Sequence, residues 1–186
     1  MPTPASDLRP EIDGRRRQML LALAAVPTLA PGVTRAGRRG LQWLDPRPSA
    51  PALLLRAADG TLYDRSAMTG SVLIINFWSI WCRPCREEMP ALQRLHSRFS
   101  DQGLALWGVA VGDAPDSVAE FGATQGLRFP LLPDPERETL ATWDVGALPT
   151  TAVVDKRGRI AFRVIGDAAW DKPPLSDHVA ALVQAP

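Results

Sequence analysis

The sequence predicts an α/β domain in which helices flank a mixed central sheet. Residues 71–78 and 104–111 are continuous apolar runs, which are typical of strands buried on both faces. A helical pattern separates these two runs, and such a connection predicts that the strands are parallel. Farther along, the turn Asp155-Lys156-Arg157-Gly158 joins two more apolar runs into an antiparallel hairpin. Parallel and antiparallel pairs together make the predicted sheet a mixed one.

Composition bounds the class of protein. The chain has 186 residues, of which 46% are apolar and 22% charged, with a formal net charge of +1. These values are ordinary for a globular protein, and they exclude wholly disordered, collagen-like and multi-span membrane proteins. The near-neutral charge gives no reason to expect a nucleic-acid partner. Two cysteines are too few for a disulfide-rich scaffold or a four-thiolate zinc site. The length predicts one domain with an appendage.

The first 40 residues differ from the rest. They contain seven arginines and three acidic residues, and the triplet Arg15-Arg16-Arg17 precedes an apolar stretch from Met19 to Ala30. A basic segment, a short apolar run and small residues in that order are typical of an export signal, and the arginine pair resembles the twin-arginine type. An uncleaved leader would act as a weak membrane anchor, and a disordered basic tail is the competing interpretation. We therefore assign 1–40 to a signal, anchor or tail, and 41–51 to an extended linker.

The domain proper is expected over residues 52–186, with each element supported by a local pattern. Asp59-Gly60 marks a tight turn after a short strand. The pair Cys82 and Cys85 opens a helix whose apolar residues recur at helical spacing, and Pro84 suits its first turn because no N–H is needed there. The expected strands are at 52–57, 71–78, 104–111, 150–154 and 160–165, with a short extended piece at 130–135. The expected helices are one that starts at the cysteine pair and ends at Gln102-Gly103, and three more at 113–124, 136–143 and 176–183.

The chemistry is predicted at Trp81-Cys82-Arg83-Pro84-Cys85. Two cysteines three positions apart on a helix lie about 5–6 Å apart between Cα atoms, within the span of a disulfide. They follow a strand and begin a helix, where free backbone N–H groups and the helix dipole stabilise negative charge. Cys82 is nearest the positive end, so its thiolate is the expected nucleophile. Arg83 and Arg86 could add to this effect, and Cys85 is placed to resolve a mixed disulfide.

A zinc site and a structural disulfide are the alternatives to redox chemistry, and both explain this cysteine pair less well. A zinc site needs further ligands, and only His96 and His178 are available as histidines. A structural disulfide would close a loop too small to contribute much stability. Redox chemistry is the favoured interpretation.

Two blocks of sequence resemble the exported thioredoxin-like reductases, the TlpA/ResA/CcmG-type thiol–disulfide oxidoreductases. The first is residues 76–92, NFWSIWCRPCREEMPAL, and the second is residues 145–155, VGALPTTAVVD, followed by Gly158 and Gly166. The resemblance covers about residues 45–185. It implies a thioredoxin-like fold with a family insertion at about 113–126.

The resemblance also implies roles. Cys82 matches the attacking cysteine, Cys85 the resolving one, and Pro149 the proline that is cis in this fold. A cis bond would present the backbone of Leu148 to an incoming peptide, which could pair there as an added strand. Trp81 is expected to shape the docking surface, and Trp78 to pack around the site.

Asn76 occupies a position where cytoplasmic thioredoxins carry a buried proton-accepting Asp. Glu88, one turn after Cys85, matches the acidic position of the exported relatives. We expect Glu88 to tune the thiols and to accept the Cys85 proton, directly or through water. The competing interpretation is a solvated glutamate like Glu87.

The function expected from these residues is reduction of protein disulfides outside the cytoplasmic membrane, with the Cys82–Cys85 pair as the redox centre and no metal or organic cofactor. The resemblance implies a membrane thiol transporter as electron donor, and apocytochrome c or copper-delivery proteins as targets. A monomer is the default for such a fold. Two alternatives remain open: a thioredoxin-like peroxidase, and a non-catalytic module that binds copper or proteins.

Overall fold

The computed structural model describes residues 39–186. In chain order its elements are β1 (Gly40–Trp43), β2 (Leu54–Arg56), β3 (Leu62–Asp64), β4 (Val72–Trp78), α1 (Arg83–Phe99), β5 (Leu104–Val111), α2 (Pro115–Gln125), β6 (Leu131–Asp134), α3 (Thr139–Thr142), β7 (Thr150–Val154), β8 (Ile160–Ile165) and α4 (Leu175–Gln184).

The central sheet has the strand order β1-β8-β7-β4-β5-β6. Strands β4, β5 and β6 run parallel, whereas β7, β8 and β1 pair antiparallel. The sequence-based prediction of a mixed sheet is therefore confirmed. All seven residues of β4 are buried, because it lies in the middle of the sheet with both faces covered. The carboxyl end of β4 leads straight to the cysteines, so the site lies at the centre of one sheet edge.

Two hydrophobic clusters cover the two faces of the sheet. Residues of α1, α2 and α4 pack on the face that carries Ile74 and Trp78. The opposite face carries Ile75 and Phe77, and it packs against Trp143 and the β2–β3 hairpin. Alternation along β4 divides its side chains between the two clusters, as the two-residue period of a strand requires.

The predicted insertion at 113–126 is the helix α2, and β6 follows it as an edge strand paired with β5. The side chain of Leu131, in β6, packs between Gly108 of β5 and Gly122 of α2. A Cβ on Gly108 or on Gly122 would lie 2.8 or 2.7 Å from the Leu131 side chain. Both glycines are therefore required for Leu131 to fit between the sheet and α2.

The expected linker at 41–51 is extended but is not outside the domain. Strand β1 pairs antiparallel with β8, Ser49 forms a bridge with Arg159, and Ala50 is buried. This stretch lacks the alternating apolar pattern of a strand, and its pairing with β8 lies more than 100 positions away in the sequence, so local patterns did not reveal it. The sheet thus begins at Gly40.

The final helix begins at Leu175, one residue before the predicted start, and Ser176 is buried in its first turn. Among residues 39–186, no helix is long and apolar enough to cross a membrane. The predicted leader, including Arg16, Arg17 and the apolar stretch, lies outside the described residues.

Candidate active site

Cys82 and Cys85 form a disulfide at the amino end of α1, with their Cα atoms 5.3 Å apart. Cys82 is the N-cap of the helix, and its Sγ accepts the backbone N–H of Cys85 at 3.3 Å. The predicted spacing and placement are both confirmed. Cys82 is 5% exposed and Cys85 is fully buried. The sulfur of Cys82 is therefore the more accessible of the two, and it lies where the helix N–H groups favour negative charge.

The arginines beside the cysteines are engaged elsewhere. Arg83 donates to Glu87 at 2.8 Å, and Arg86 donates to the carbonyl oxygen of Ile80 at 3.0 Å. Both arginine side chains are exposed, so solvent screens their charges. The helix terminus is thus the more direct means of stabilising a thiolate at Cys82.

The loop between β4 and α1 is held from both sides. The carboxylate of Asp113 accepts the backbone N–H of Ile80 at 2.8 Å, while Arg86 binds the carbonyl of the same residue. Asp113 is itself buried, at the start of the predicted insertion. Trp81, next in the chain, is 66% exposed. This clamp on Ile80 fixes the segment that presents an exposed indole beside the disulfide.

Pro149 lies at the same edge of the sheet as the cysteines. The Leu148–Pro149 peptide bond is cis, as the resemblance implies. Thr150, the next residue, is paired with Phe77 of β4, and the carbonyl of Pro149 accepts the N–H of Gly166 at 2.9 Å. Pro149 is buried and Leu148 is half-buried. The backbone just before β7 therefore lies next to the end of β4 from which the cysteine segment emerges.

Glu88 is buried, with 3% of its surface exposed. One carboxylate oxygen, Oε1, accepts Nδ2 of Asn76 at 2.8 Å. The other, Oε2, accepts the backbone N–H of Ala168 and the indole N–H of Trp170, both at 3.1 Å. Burial raises the pKa of Glu88 from 4.5 to about 7, the three hydrogen bonds oppose that rise, and Asp167 adds to it. Glu88 is therefore a buried carboxyl group that changes charge near neutral pH.

Asn76 joins the sheet to this carboxylate. It is fully buried on β4, and its Nδ2 also donates to Oγ1 of Thr151 at 2.8 Å, its partner across the β4–β7 pair. A neutral amide here donates to Glu88 instead of competing with it for a proton, as a second carboxylate would. The acidic group beneath the site is thus on α1 and not on the strand.

A cleft of about 250 Å³ opens beside Glu88 between α1 and the chain that follows β8. Charged residues line it: Glu87, Arg94, Asp167, Asp171 and Lys172. Arg94 and Asp171 form a salt bridge at 2.7 Å across its rim. Solvent therefore reaches the vicinity of a carboxyl group that is otherwise enclosed.

Three contacts of the site were not evident from the sequence. Nothing in the sequence around Trp170 indicates a role at the site, yet its indole N–H donates to Glu88 from 82 positions away. The sequence does not indicate that Asp113 binds the backbone of Ile80, just beyond β4, or that Thr151 binds Asn76 within β4. No local motif links these residues to the cysteines, because the fold alone brings them together.

The comparisons with known proteins agree with this geometry. Residues 46–163 match the family model described as AhpC/TSA family. The chain belongs to this family. The thiol-disulfide oxidoreductase ResA of Geobacillus kaustophilus (strain HTA426) is 35% identical over 134 residues, which cover 72% of this chain and 76% of that protein. The protein of the same name from Bacillus subtilis (strain 168) is 32% identical and is matched over 63% of this chain and 65% of its own length.

Among solved structures, a secreted thiol-disulfide isomerase from Corynebacterium glutamicum superimposes with a TM-score of 0.72 at 26% identity, covering 81% of this chain and 95% of that one. The expected resemblance and the thioredoxin-like fold are confirmed. The predicted class of activity, thiol–disulfide oxidoreductase, is confirmed as well. Proteins that bear disulfides are accordingly its class of substrate.

Proposed function

We propose that this AhpC/TSA-family oxidoreductase reduces disulfides of partner proteins outside the cytoplasmic membrane. The observation that carries the proposal is the Cys82–Cys85 disulfide at the amino end of α1, beside the buried carboxyl of Glu88. Two thiols, a helix terminus and one proton-exchanging group are sufficient for disulfide exchange. The reaction uses the dithiol as its only redox centre, without a metal or organic cofactor.

In the first step the Cys82 thiolate attacks one sulfur of a partner disulfide. A Cys82–partner bond forms, and the second sulfur of the partner leaves as a thiolate that takes a proton from water. Cys82 performs this step because its Sγ accepts the N–H of Cys85 in the first helical turn and because Cys82 is the more exposed of the two cysteines. Pro84 lies in that turn, where its fixed backbone angle suits the helix and where the N–H that proline lacks would have no partner within the helix.

In the second step Cys85 resolves the mixed disulfide. Its thiol first loses a proton to the ionised carboxylate of Glu88, one helical turn further along α1, directly or through one water molecule. The Cys85 thiolate then attacks Cys82, which releases the reduced partner and restores the Cys82–Cys85 bond. Two electrons pass to the partner. The pKa of Glu88, about 7, lets it accept a proton near neutrality and return it to solvent through the adjoining cleft.

Substrate docking is assigned to Trp81, Leu148 and Pro149. The exposed indole of Trp81 provides an apolar contact beside the disulfide. An extended segment of the partner pairs with the backbone at Leu148, as an added strand does at a free edge. Asn76 contributes to the site indirectly, because its Nδ2 donates a hydrogen bond to the Glu88 carboxylate.

The location and partners rest on the chain's leader and on its relatives. The basic, apolar and small-residue order of the first 40 residues is typical of export, and one structural relative is described as secreted. In an oxidising compartment a reductant needs a supply of electrons, and a membrane thiol transporter would provide it. Apocytochrome c and copper-delivery proteins are the proposed targets. The protein acts as a monomer, without nucleic acid, and stays membrane-anchored if its leader is not cleaved.

Reduction of defined substrates tests this proposal. The reduced protein is mixed with an oxidised Cys-x-x-Cys-His peptide, which carries the haem-attachment sequence, and separately with a disulfide-bonded copper-delivery protein. Rapid reduction of at least one is expected, with loss of the reaction in Cys82→Ala. The variant Cys85→Ala should accumulate the mixed disulfide, while Cys82→Ala should not, because Cys85 is fully buried. Equal trapping by both variants, or no reduction of either substrate, would contradict the proposal.

A further inference from the structure

The loop between β8 and α4, residues 166–174, supplies two of the three hydrogen bonds that Glu88 accepts. Oε2 of Glu88 accepts the backbone N–H of Ala168 and the indole N–H of Trp170, whereas Oε1 is bound from the sheet by Asn76. The carboxylate is thus held between the sheet on one side and this loop on the other. An indole N–H only donates, so Trp170 binds the ionised carboxylate better than the neutral acid.

Trp170 is fixed in place by its surroundings. It is fully buried in the cluster that also contains the apolar residues of α1 and α4. The next residue, Asp171, binds Arg94 of α1 at 2.7 Å. The loop is therefore attached to α1 at two points, one buried at Glu88 and one exposed at Arg94. Packing in this cluster therefore helps to hold the indole N–H in place against Glu88.

The charges near Glu88 come from two elements. Helix α1 contributes Glu87 and Arg94 around the cleft, together with the cysteines one turn earlier. The loop contributes Asp167, Asp171 and Lys172. From the sheet, the groups at Glu88 are the neutral Asn76 and, behind it, Thr151. Asp167 acts against ionisation of Glu88, and the donors on the loop and on Asn76 act in its favour.

We propose that Trp170 is a positioning residue for the proton transfer at Glu88, and that its indole N–H sets the proton affinity of that carboxyl group. The inference rests on the proposed function of Glu88 and extends it to a residue outside the cysteine segment and outside both resembling blocks. Burial already raises the pKa of Glu88, and the indole bond is one of the three hydrogen bonds that oppose this rise. Without the indole bond the pKa would rise further, so a smaller fraction of Glu88 would be ionised at neutral pH and able to accept the proton of Cys85.

The unmodified oxidised protein provides the first test. The indole N–H resonance of Trp170 is followed by ¹H–¹⁵N NMR from pH 5 to 9. It is expected to shift with a midpoint near that of the Glu88 carboxyl carbon, about 7, and to lose this transition in Glu88→Gln. The indole of Trp143, which donates to the carbonyl of Ala52, serves as an internal control and should stay constant. A Trp170 resonance that does not follow Glu88 overturns the inference, and no variant of Trp170 is needed for this result.

The second test removes the donor. In Trp170→Phe the Glu88 midpoint should move up by about one pH unit, the effect of losing one charge-assisted hydrogen bond. The midpoint of the pH–rate profile for disulfide reduction should move with it. Trp143→Phe is the matched control, because it also removes a buried indole and one hydrogen bond but lies on the other face of the sheet. A midpoint that falls, or that changes equally in both variants, overturns the inference.

The two proposals fail differently. If Glu88→Gln leaves the pH–rate profile unchanged, the proposed role of Glu88 is wrong, while the NMR coupling of Trp170 to Glu88 still stands. If the coupling is absent but Glu88→Gln slows the reaction, the role of Glu88 stands and the inference on Trp170 is wrong.

Discussion

Replacing Glu88 by glutamine should stabilise the oxidised protein relative to the unmodified chain, and this gain in the free energy of unfolding should be larger at pH 8 than at pH 4.5. The pKa of Glu88 is about 7 in the folded protein and 4.5 as the ordinary value. Between these values the folded state keeps a proton that the unfolded state has lost, so the stability of the unmodified chain falls as pH rises. At 1.36 kcal/mol per pKa unit, the relative gain of Glu88→Gln reaches about 3 kcal/mol above pH 7 and is absent below pH 4.5.

Urea unfolding of both proteins at half-unit steps from pH 4 to 8.5 measures this difference. Glu87→Gln is the control, because Glu87 is exposed and its ion pair with Arg83, one helical turn away, is screened by solvent, so this substitution should change the free energy of unfolding only slightly. The reasoning is refuted if the difference between Glu88→Gln and the unmodified chain stays constant with pH, or if it changes in the opposite direction.

Three further substitutions test other contacts. Asp113→Ala removes the acceptor of the Ile80 N–H, which should cost about 1–3 kcal/mol of stability and speed hydrogen exchange at that amide; unchanged exchange would contradict the clamp. Trp81→Ala, at an exposed position, should change stability by less than about 0.5 kcal/mol but slow reduction of protein disulfides more than that of small disulfides; equal slowing would argue against docking. Asp155→Asn should cost about 1–3 kcal/mol at pH 7, since Asp155 accepts two backbone N–H groups of its hairpin and two arginine side chains. Burial opposes ionisation there, but the hydrogen bonds hold the pKa of Asp155 below its ordinary value, so this cost should shrink as pH falls below about 4; a cost independent of pH would contradict it.

The elements that the sequence predicted well are those with strong local patterns. The strand at 104–111 and the hairpin strands at 150–154 and 160–165 match the structure residue for residue, because continuous apolar runs and a turn signal delimit them. The spacing of Cys82 and Cys85 could be predicted equally well, since helical geometry fixes the distance between positions three apart.

The parts that the sequence did not reveal depend on distant pairing. Strand β1 has little apolar alternation and exists because β8 offers it a partner. The environment of Glu88 could be suspected only from the resemblance, and its two donors on the loop after β8 lie 80 and 82 positions away. Burial distinguishes Glu88 from Glu87, its exposed neighbour, and burial is a property of the packed chain rather than of either residue.

The most direct test of the account is the ionisation of the two thiols in the reduced protein. Alkylation rates with iodoacetamide, resolved for each cysteine by mass spectrometry, are measured from pH 4 to 10. Because the Cys82 sulfur faces the amino end of α1, its rate should reach a plateau well below pH 8.5, the ordinary value for a cysteine, while the buried Cys85 reacts slowly. If Cys82 instead reacts with a midpoint near 8.5 and at the same rate as Cys85, it is not the activated nucleophile and the mechanism is wrong.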